Sequence, residues 1–514
     1  MTRGFINLLR RADKYSLYVL ACLLAAYLLN QLDRYALAVT SMPMAQDIHF
    51  GDKGCVNNKN VSFSGQTKLC NKKPGNTEDI EKNKTRCLLK TGKGEYNKSS
   101  ACRWDYDGTG EQYQILAGPV FILVYTITGI PLGFLGGSNK RCMILACCLL
   151  LWSTMTLLSG FATEYWHLVV TRFLLGVGEA GCTPFASSLI ADYFDESLRA
   201  GAMGVYNWGI YIGYSLSYAL GNFIVDANID GKGWRWVFWI AAIPGFIVAP
   251  LIFFTIKEPT GKIRTGQPSV NIAKSLKQGG TSYIIKIFLS PSLLILCLAG
   301  SIRNAGGYVW AYNTQPYFDK YYPDVNLGYW MSWIPLVGGS MGVLLGGVIS
   351  DQVIKNRGLY ARVWVLVFSQ LFGAPFAAGA LFLHPPYCFI SLIVANIVGE
   401  MWIGVALTVV VELVPKALRT SVVAYYLFII SIIGGNMPLA IPPLKQATGS
   451  LRVALYLLYP GLFLASSVLF LLTLFVLKWD AERARVLEDQ MNRESSPLLG
   501  RKSDTQSEPS VEKA

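Results

Sequence analysis

The chain has 514 residues, of which 52% are hydrophobic and only 15% are charged. Soluble proteins carry roughly 25% charged residues, so this composition excludes a disordered chain, a fibrous repeat and a typical cytosolic enzyme. The net charge of +13 does not predict a nucleic-acid partner, because the cytoplasmic loops of membrane proteins collect lysine and arginine.

The apolar residues form blocks that are long enough to cross a bilayer, which takes about 20 mostly apolar residues. These blocks predict an all-α membrane protein with twelve transmembrane helices. In chain order the predicted spans are 17–41, 113–136, 141–161, 166–190, 201–224, 234–256, 290–314, 327–350, 360–382, 386–411, 419–441 and 453–477.

The charge distribution predicts the orientation. The N-tail, 1–16, carries four basic side chains and one acid, and the stretch 257–286 carries six basic side chains and one acid. Both are therefore expected in the cytosol. The domains follow as an N-terminal six-helix bundle (17–256), a cytosolic linker (257–289), a C-terminal six-helix bundle (290–477) and a cytosolic tail (478–514).

The loop 42–112 is then expected on the lumenal or extracellular side, because loops longer than about 60 residues translocate regardless of their charge. It contains three N-glycosylation sequons, at Asn60, Asn83 and Asn97. Three sequons in one loop support the outward placement. The loop is also long enough to bind an accessory subunit.

Four cysteines lie in the same loop, and they are Cys55, Cys70, Cys87 and Cys102. An even number in an oxidising lumen predicts two disulfides, with three possible pairings. Free thiols in a mobile loop are the alternative.

The two halves repeat a charged spacing. Asp192 is followed seven residues later by Arg199 between spans 4 and 5, and Glu412 precedes Arg419 by the same distance between spans 10 and 11. A second repeat follows spans 2 and 8, where the latter ends in Asp351. We interpret these residues as a gate motif in a carrier that is built from two parallel repeats.

Several segments resemble the major facilitator superfamily. They are 172–179 (RFLLGVGE), 233–239 (GWRWVFW) and 257–259 (KEP). Within that superfamily the chain resembles spinster-like transporters, through 30–35 (NQLDRY) and 176–180 (GVGEA). The resemblance is good over spans 1 to 6 and thin afterwards. It implies the two-bundle fold, alternating access and transport of a lysophospholipid or sphingoid-like solute.

Two features depart from that family. Gly137 stands where the superfamily normally has an aspartate, so the usual charge lock of the cytosolic gate is in doubt in this half, while Asp351 keeps it in the other. The long first loop is unlike a typical spinster protein and is similar to that of vesicular and lysosomal organic-anion carriers, which are the alternative.

Ionisable groups inside the spans are the predicted functional residues, because each costs several kcal/mol in a membrane. Glu179 follows Arg172 by about two helical turns, so the two lie about 10 Å apart and each needs a partner on another helix. Asp33 and Arg34 are the predicted partners. The resemblance implies that Asp33 and Glu179 exchange protons, whereas a fixed buried ion network is the alternative.

In the second half, Arg303 and Asn304 interrupt span 7, and Glu400 lies near the centre of span 10. Arg303 can bind the anionic head of a substrate bidentately, or it can pair with Glu400. The sequence leaves both open.

No Walker motif, metal-ligand cluster or nucleophile motif is present in the sequence, so we expect no cofactor, no ATP-driven pump and no enzyme. The three histidines, His49, His167 and His384, fall in or near the outer loops. Any proton coupling is therefore expected to use carboxylates.

The tail 478–514 is polar and is predicted to be disordered. It contains Glu494, Leu498 and Leu499 in the spacing of an acidic dileucine signal for clathrin adaptors, although such strings also occur by chance. Together with the loop, the signal favours a lysosomal or late endosomal membrane, with the plasma membrane as the alternative.

The sequence therefore predicts a secondary transporter that moves a small amphiphilic or anionic solute, with protons, out of the lysosome. An organic-anion or sugar carrier is one alternative. A membrane receptor or scaffold that has lost transport is another.

Overall fold

A computed structural model describes residues 12–57, 102–135, 140–259, 288–357, 359–414 and 419–495. Several predicted features lie outside these residues. They are the sequons at Asn60, Asn83 and Asn97, the cysteines Cys70 and Cys87, Gly137, and the leucines Leu498 and Leu499 of the sorting signal. They stay predictions.

The N-terminal half contains six spans and a small extramembrane region. The helices are Lys14–Val39 (span 1), Ser41–Ile48 after it, Glu111–Ala117 and Val124–Leu135 (span 2), Arg141–Ser159 (span 3), Tyr165–Glu179 and Cys182–Tyr193 (span 4), Glu196–Ala227 (span 5) and Gly233–Thr255 (span 6). A π-helical turn, Pro119–Leu123, joins the two parts of span 2, and a 3-10 turn, Ile229–Gly231, precedes span 6.

The C-terminal half repeats this arrangement. Its helices are Pro291–Tyr321 (span 7), Gly328–Met331 and Ile334–Arg357 (span 8), Leu359–Phe382 (span 9), Tyr387–Gly399 and Trp402–Glu412 (span 10), Arg419–Asn436 and Ile441–Thr448 (span 11), and Leu451–Leu458 and Pro460–Ser495 (span 12). A 3-10 turn, Met437–Ala440, interrupts span 11.

The predicted twelve-helix fold is confirmed, although span 5 differs from the rest. Among the described residues, eleven helices are long and apolar enough to cross a membrane. Span 5 is long enough, with 32 residues, but its tyrosines, serines, asparagines and glycines lower its hydropathy. It packs closely on span 1, because a Cβ atom at Gly213 would lie 2.4 Å from the carbonyl oxygen of Leu28.

Two details differ from the prediction. The loop 42–112 is not wholly irregular, since β1 (Lys53–Asn57) pairs antiparallel with β2 (Cys102–Tyr106). The tail was predicted to be disordered from 478, but span 12 continues as helix to Ser495. Glutamate, arginine and alanine make up eight of the 18 residues of 478–495, and these are strong helix formers.

The two ends of the bundle are packed differently. We call the end that carries 42–112 the loop side and the end that leads into 257–289 the linker side. At the loop side, one buried cluster combines Val39 and Tyr218 of the first half with Tyr317 and Leu451 of the second. At the linker side of the second half, the buried cluster around Val363 contains, within the described ranges, only residues of that half.

The outer surface of the bundle is apolar. Phe254 and Phe475 are 80% and 77% exposed, which would be costly in water and is expected where a protein faces lipid chains. Together with the spans, this surface establishes a multi-pass membrane protein.

Candidate functional site

A cavity of about 280 Å³ lies between the two halves, lined by spans 1, 5, 7, 8, 10 and 12. Nine of its 22 lining residues are aromatic, and they are Tyr27, Tyr35, Tyr211, Tyr214, Tyr308, Trp310, Trp402, Tyr459 and Phe463. Three charged side chains, Arg34, Arg303 and Glu400, also line it. Such a wall offers apolar contact area and a few fixed polar groups, which is the usual form of a small-molecule site.

In the first half, Arg34 of span 1 pairs with Glu179 of span 4, with Nη2 and Oε2 3.1 Å apart. Glu179 is fully buried, and the guanidinium group also lies over the rings of Phe121 and Tyr125, at 5.0 and 4.8 Å. The predicted partner for Glu179 on another helix is therefore present. Arg34 lines the cavity and Glu179 does not, so Glu179 faces the cavity only through Arg34.

Asp33 and Arg172 lie beside this pair but form no salt bridge with each other. Nη1 of Arg172 donates to the backbone oxygen of Asp33 at 3.4 Å. Both side chains are buried, and Oδ1 of Asp33 and Nη2 of Arg172 have no hydrogen-bond partner within the described part of the chain. Unsatisfied buried polar atoms are costly, and protonation of Asp33 would lower that cost by removing its charge.

In the second half, Arg303 of span 7 pairs with Glu400 of span 10, again with 3.1 Å between Nη2 and Oε1. Arg303 also donates to the backbone oxygen of Gly399 at 2.8 Å. Its guanidinium group lies 4.1 Å from the ring centre of Phe463. Of the two options that the sequence left open for Arg303, this structure contains the pair with Glu400. The side chain of Asn304 donates to the backbone oxygen of Ile430 at 2.9 Å.

The two pairs occupy equivalent places in the two halves. Each joins an arginine of the first span of a half to a glutamate of its fourth span, and each glutamate lies where that helix is interrupted, after Glu179 in span 4 and at Glu400 in span 10. The two arginines do not lie at the same distance from the start of their helices, Lys14–Val39 and Pro291–Tyr321, so the equivalence is one of spans and not of aligned residues. The site is therefore a repeated unit that faces one central cavity.

In both halves, the acidic gate residues at the linker side form ion pairs with arginines that the sequence did not predict as their partners. Asp192 pairs with Arg141 at 2.6 Å, and Arg141 also binds Glu258 at 2.6 Å. Arg199 instead donates to the backbone oxygen of Ala191 at 2.7 Å. Arg141 is the first residue of span 3. This position at the end of a helix is the feature of the sequence that could have identified Arg141 as a partner of the gate residues.

The second half contains a related arrangement, in which the second acid comes from span 8 and not from the end of the last span. Arg362, near the start of span 9, binds Asp351 at 3.0 Å and Glu412 at 3.3 Å. Arg419 is not the partner in these two pairs. In both halves these contacts stay within the half and tie its third span to its fourth.

At the loop side, ion pairs join the two halves instead. Lys445 of span 11 lies 2.8 Å from Asp52 and 3.7 Å from Asp107, and Lys320 of span 7 lies 3.5 Å from Asp107. We call these four residues the loop-side cluster. No motif or spacing predicts this cluster, because its members lie far apart in the chain.

Asp107 is the buried member of that cluster. Burial alone would raise the pKa of its carboxyl, but the ammonium groups of Lys445 and Lys320 and hydrogen bonds from Thr109 lower the pKa below its ordinary value. Asp107 therefore stays ionised in a moderately acidic compartment.

Further polar contacts between the halves lie on the loop side. Gln114 donates to Asn313 at 2.7 Å, and Asn222 donates to Gln315 at 3.2 Å. Together with the loop-side cluster they close the central cavity toward 42–112.

A comparison with known protein families matches the Major Facilitator Superfamily over residues 23–438. The chain belongs to the Major Facilitator Superfamily. This is a family of transporters and not of enzymes, so the predictions of a transporter and of this fold are confirmed.

The resemblance to spinster-like proteins is also confirmed. The chain is 28% identical to Protein spinster of Drosophila melanogaster, over 55% of this chain and 46% of the fly protein. It is 30% identical to the Sphingosine-1-phosphate transporter SPNS2 of Danio rerio, over 36% of this chain and 38% of that protein. The chain thus aligns with less than half the length of these relatives.

A solved structure gives the same fold. The chain superposes on a bacterial homolog of the human lysosomal transporter Spinster, in an inward-facing and unoccupied conformation, with a TM-score of 0.64, 20% identity, and coverage of 92% of this chain and 98% of that one. At this identity the likeness concerns the fold alone.

Proposed function

We propose that this protein is a proton-coupled secondary transporter that moves a small amphiphilic anion by alternating access. The observation that carries the proposal is the aromatic cavity between the halves, into which each half directs one arginine that is paired with a glutamate. Aromatic rings suit an apolar chain or ring, and guanidinium groups suit a phosphate or carboxylate.

The size of the cavity bears on the substrate. Ligand cavities are commonly about 300–1,000 Å³, and this one, at about 280 Å³, suits a head group with the adjoining part of a chain. The relative SPNS2 is named for sphingosine-1-phosphate. A lysophospholipid or a phosphorylated sphingoid base is therefore our proposed substrate, and a small organic anion, which uses the same arginines, is the second candidate.

For proton coupling, the relevant contact is that between Arg34 and Glu179. An anion in the cavity competes for Arg34, and Glu179 has no other arginine at salt-bridge distance among the described residues. A buried carboxylate that loses its cation takes up a proton readily. Asp33, next to the same group, would receive or pass on that proton. Substrate binding and protonation of Glu179 would thus be linked.

The proposed location is a lysosomal or late endosomal membrane. Its support is the acidic dileucine string of the tail and the sequons of the first loop. The proposed direction, toward the cytosol, follows from a carrier that uses a lumen-to-cytosol proton gradient.

The test uses the full-length protein in proteoliposomes. We expect uptake of radiolabelled sphingosine-1-phosphate or lysophosphatidate to rise when a pH step is imposed, and Glu179→Gln to abolish that response in a protein that still folds. Glu164→Gln, at the loop-side end of the same span, is the matched control and should respond like the native protein.

Three outcomes separate the alternatives. A pH response that survives Glu179→Gln would refute the proposed coupling residue. Flux of short organic anions without flux of lipids would favour the second candidate. No flux of any solute that accumulates in lysosomes lacking the protein would favour a scaffold.

A further inference from the structure

The two arginine–glutamate pairs differ in how the glutamate meets the cavity. Glu179 is fully buried behind Arg34. The side chain of Glu400 is 27% exposed, and it lines the cavity together with its partner. Only Glu400 can leave its arginine without crossing a packed wall.

Arg303 is held in place by groups other than Glu400. The backbone oxygen of Gly399 accepts from its Nη2 at 2.8 Å, and the rings of Phe463 and Trp402 lie 4.1 and 5.4 Å from the guanidinium carbon. The guanidinium group would therefore keep its position when the carboxylate moves away.

The contact between the two side chains is also incomplete. Glu400 contacts a single nitrogen of Arg303, Nη2. A phosphate or carboxylate that accepts from two guanidinium nitrogens at once makes a bidentate contact, which is stronger than a single one.

Glu400 has a second partner on the cavity wall. It lies at the interruption of span 10, between Gly399 and Trp402. The hydroxyl of Tyr211 of span 5 already interacts with the Glu400 carboxylate, and both residues line the cavity. Glu400 can therefore keep this hydroxyl as a donor after it has left Arg303.

We propose that Glu400 is a tethered competitor, which occupies Arg303 in the empty cavity and is displaced by the anionic group of the solute. The inference rests on the proposed function, because it takes the cavity to be the solute site. It makes Glu400 a specificity-determining residue. A neutral amphiphile does not displace the carboxylate, and an anion does so only if it binds Arg303 better.

The test measures binding to the full-length protein in lipid nanodiscs by isothermal titration calorimetry, with hexyl phosphate as the probe and hexyl glucoside as its neutral match. Protein-free nanodiscs give the background. We expect Glu400→Gln and Glu400→Ala each to bind hexyl phosphate about tenfold more tightly, which corresponds to about 1.4 kcal/mol. Affinity for hexyl glucoside should stay unchanged.

The variants Arg303→Gln and Arg303→Gln with Glu400→Gln distinguish competition from other roles. Both should bind hexyl phosphate equally weakly, because the carboxylate acts only through the arginine. If Glu400→Gln and Glu400→Ala leave the affinity unchanged or weaken it while Arg303→Gln abolishes binding, Glu400 positions Arg303 and the inference is wrong. If Arg303→Gln has no effect while Arg34→Gln abolishes binding, the anion uses Arg34 and the inference is wrong. If neither variant has an effect, the cavity is not the anion site and the proposed function itself fails.

Discussion

The loop side and the linker side of this transporter are held together in different ways. At the loop side, the polar contacts join the two halves, through Lys445, Asp52 and Asp107. At the linker side, Arg141 and Arg362 each bind acids of their own half. The first kind of contact must break when the cavity opens toward 42–112, whereas the second can persist throughout a cycle in which each half moves as a unit.

The comparison therefore separates two kinds of substitution. Those within a half should lower the stability of the fold, and those between halves should shift the balance of conformations.

The largest effect is expected for Arg141→Ala. The side chain of Arg141 is fully buried and binds Asp192 and Glu258, and removing one member of a buried ion pair commonly costs about 3–5 kcal/mol. The free energy of unfolding should fall by about that amount. Arg362→Ala removes a group that is also buried, but its partners Asp351 and Glu412 are 71% and 31% exposed, so it should cost less. Equal losses would contradict the view that the burial of the whole ion pair sets the cost.

A smaller effect, on conformation and not on stability, is expected for Lys445→Gln. Losing its contacts with Asp52 and Asp107 should let the loop side open more often. A cysteine at Ala311, which lines the cavity, would then react about fivefold faster with an impermeant maleimide applied from the loop side, as expected for about 1 kcal/mol.

Lys320→Gln is the matched control for that experiment. Its ammonium group contacts only Asp107 among the described acids, at 3.5 Å, so the rate of labelling at Ala311→Cys should rise less than in Lys445→Gln. A fall in labelling for either variant would show that the loop-side cluster does not hold the two halves together.

The smallest change is expected on acidification. The pKa of Asp107 is lowered in the folded protein, so its contribution is complete above the ordinary aspartate value and is lost only as the pH falls through the lower folded value. The labelling rate at Ala311→Cys, expressed as a fraction of the rate in Asp107→Asn at the same pH, should therefore be the same at pH 7 and at about pH 5. The ratio is needed because the thiolate fraction falls with pH in both proteins alike.

Asp107→Asn, combined with Ala311→Cys, is the reference for a cluster without that charge. Its cysteine should react faster with the maleimide at both pH values. Native labelling that rises to the Asp107→Asn rate between them would contradict the lowered pKa.

Much of this fold could be predicted from the sequence, because apolar blocks that are long enough to cross a bilayer form transmembrane helices. The contact of Arg34 with Glu179 was also within reach, since each needed a partner on another helix. The hairpin of β1 and β2 was missed because its strands are short and far apart in the chain.

The partners within the charged clusters were harder to predict from the sequence. The spacing of Asp192 and Arg199 suggested a local pair, but a new helix begins at Glu196, and Arg141 of the neighbouring span lies closer to the carboxylate. Contacts such as Lys445 with Asp52 depend on how two halves meet, and no helical period or motif within one half contains that information. Cys55 is not among the free thiols, and the pairing of the four loop cysteines stays a prediction.

The hairpin has a practical consequence for engineering. Asn57 and Cys102 are directly opposite in its ladder, and paired residues of antiparallel strands lie about 5 Å apart. Everything between them thus leaves and rejoins the transporter at a single point. Replacing 58–101 with a two-residue Asn-Gly turn, or with a reporter domain whose termini are close together, should leave the twelve spans undisturbed.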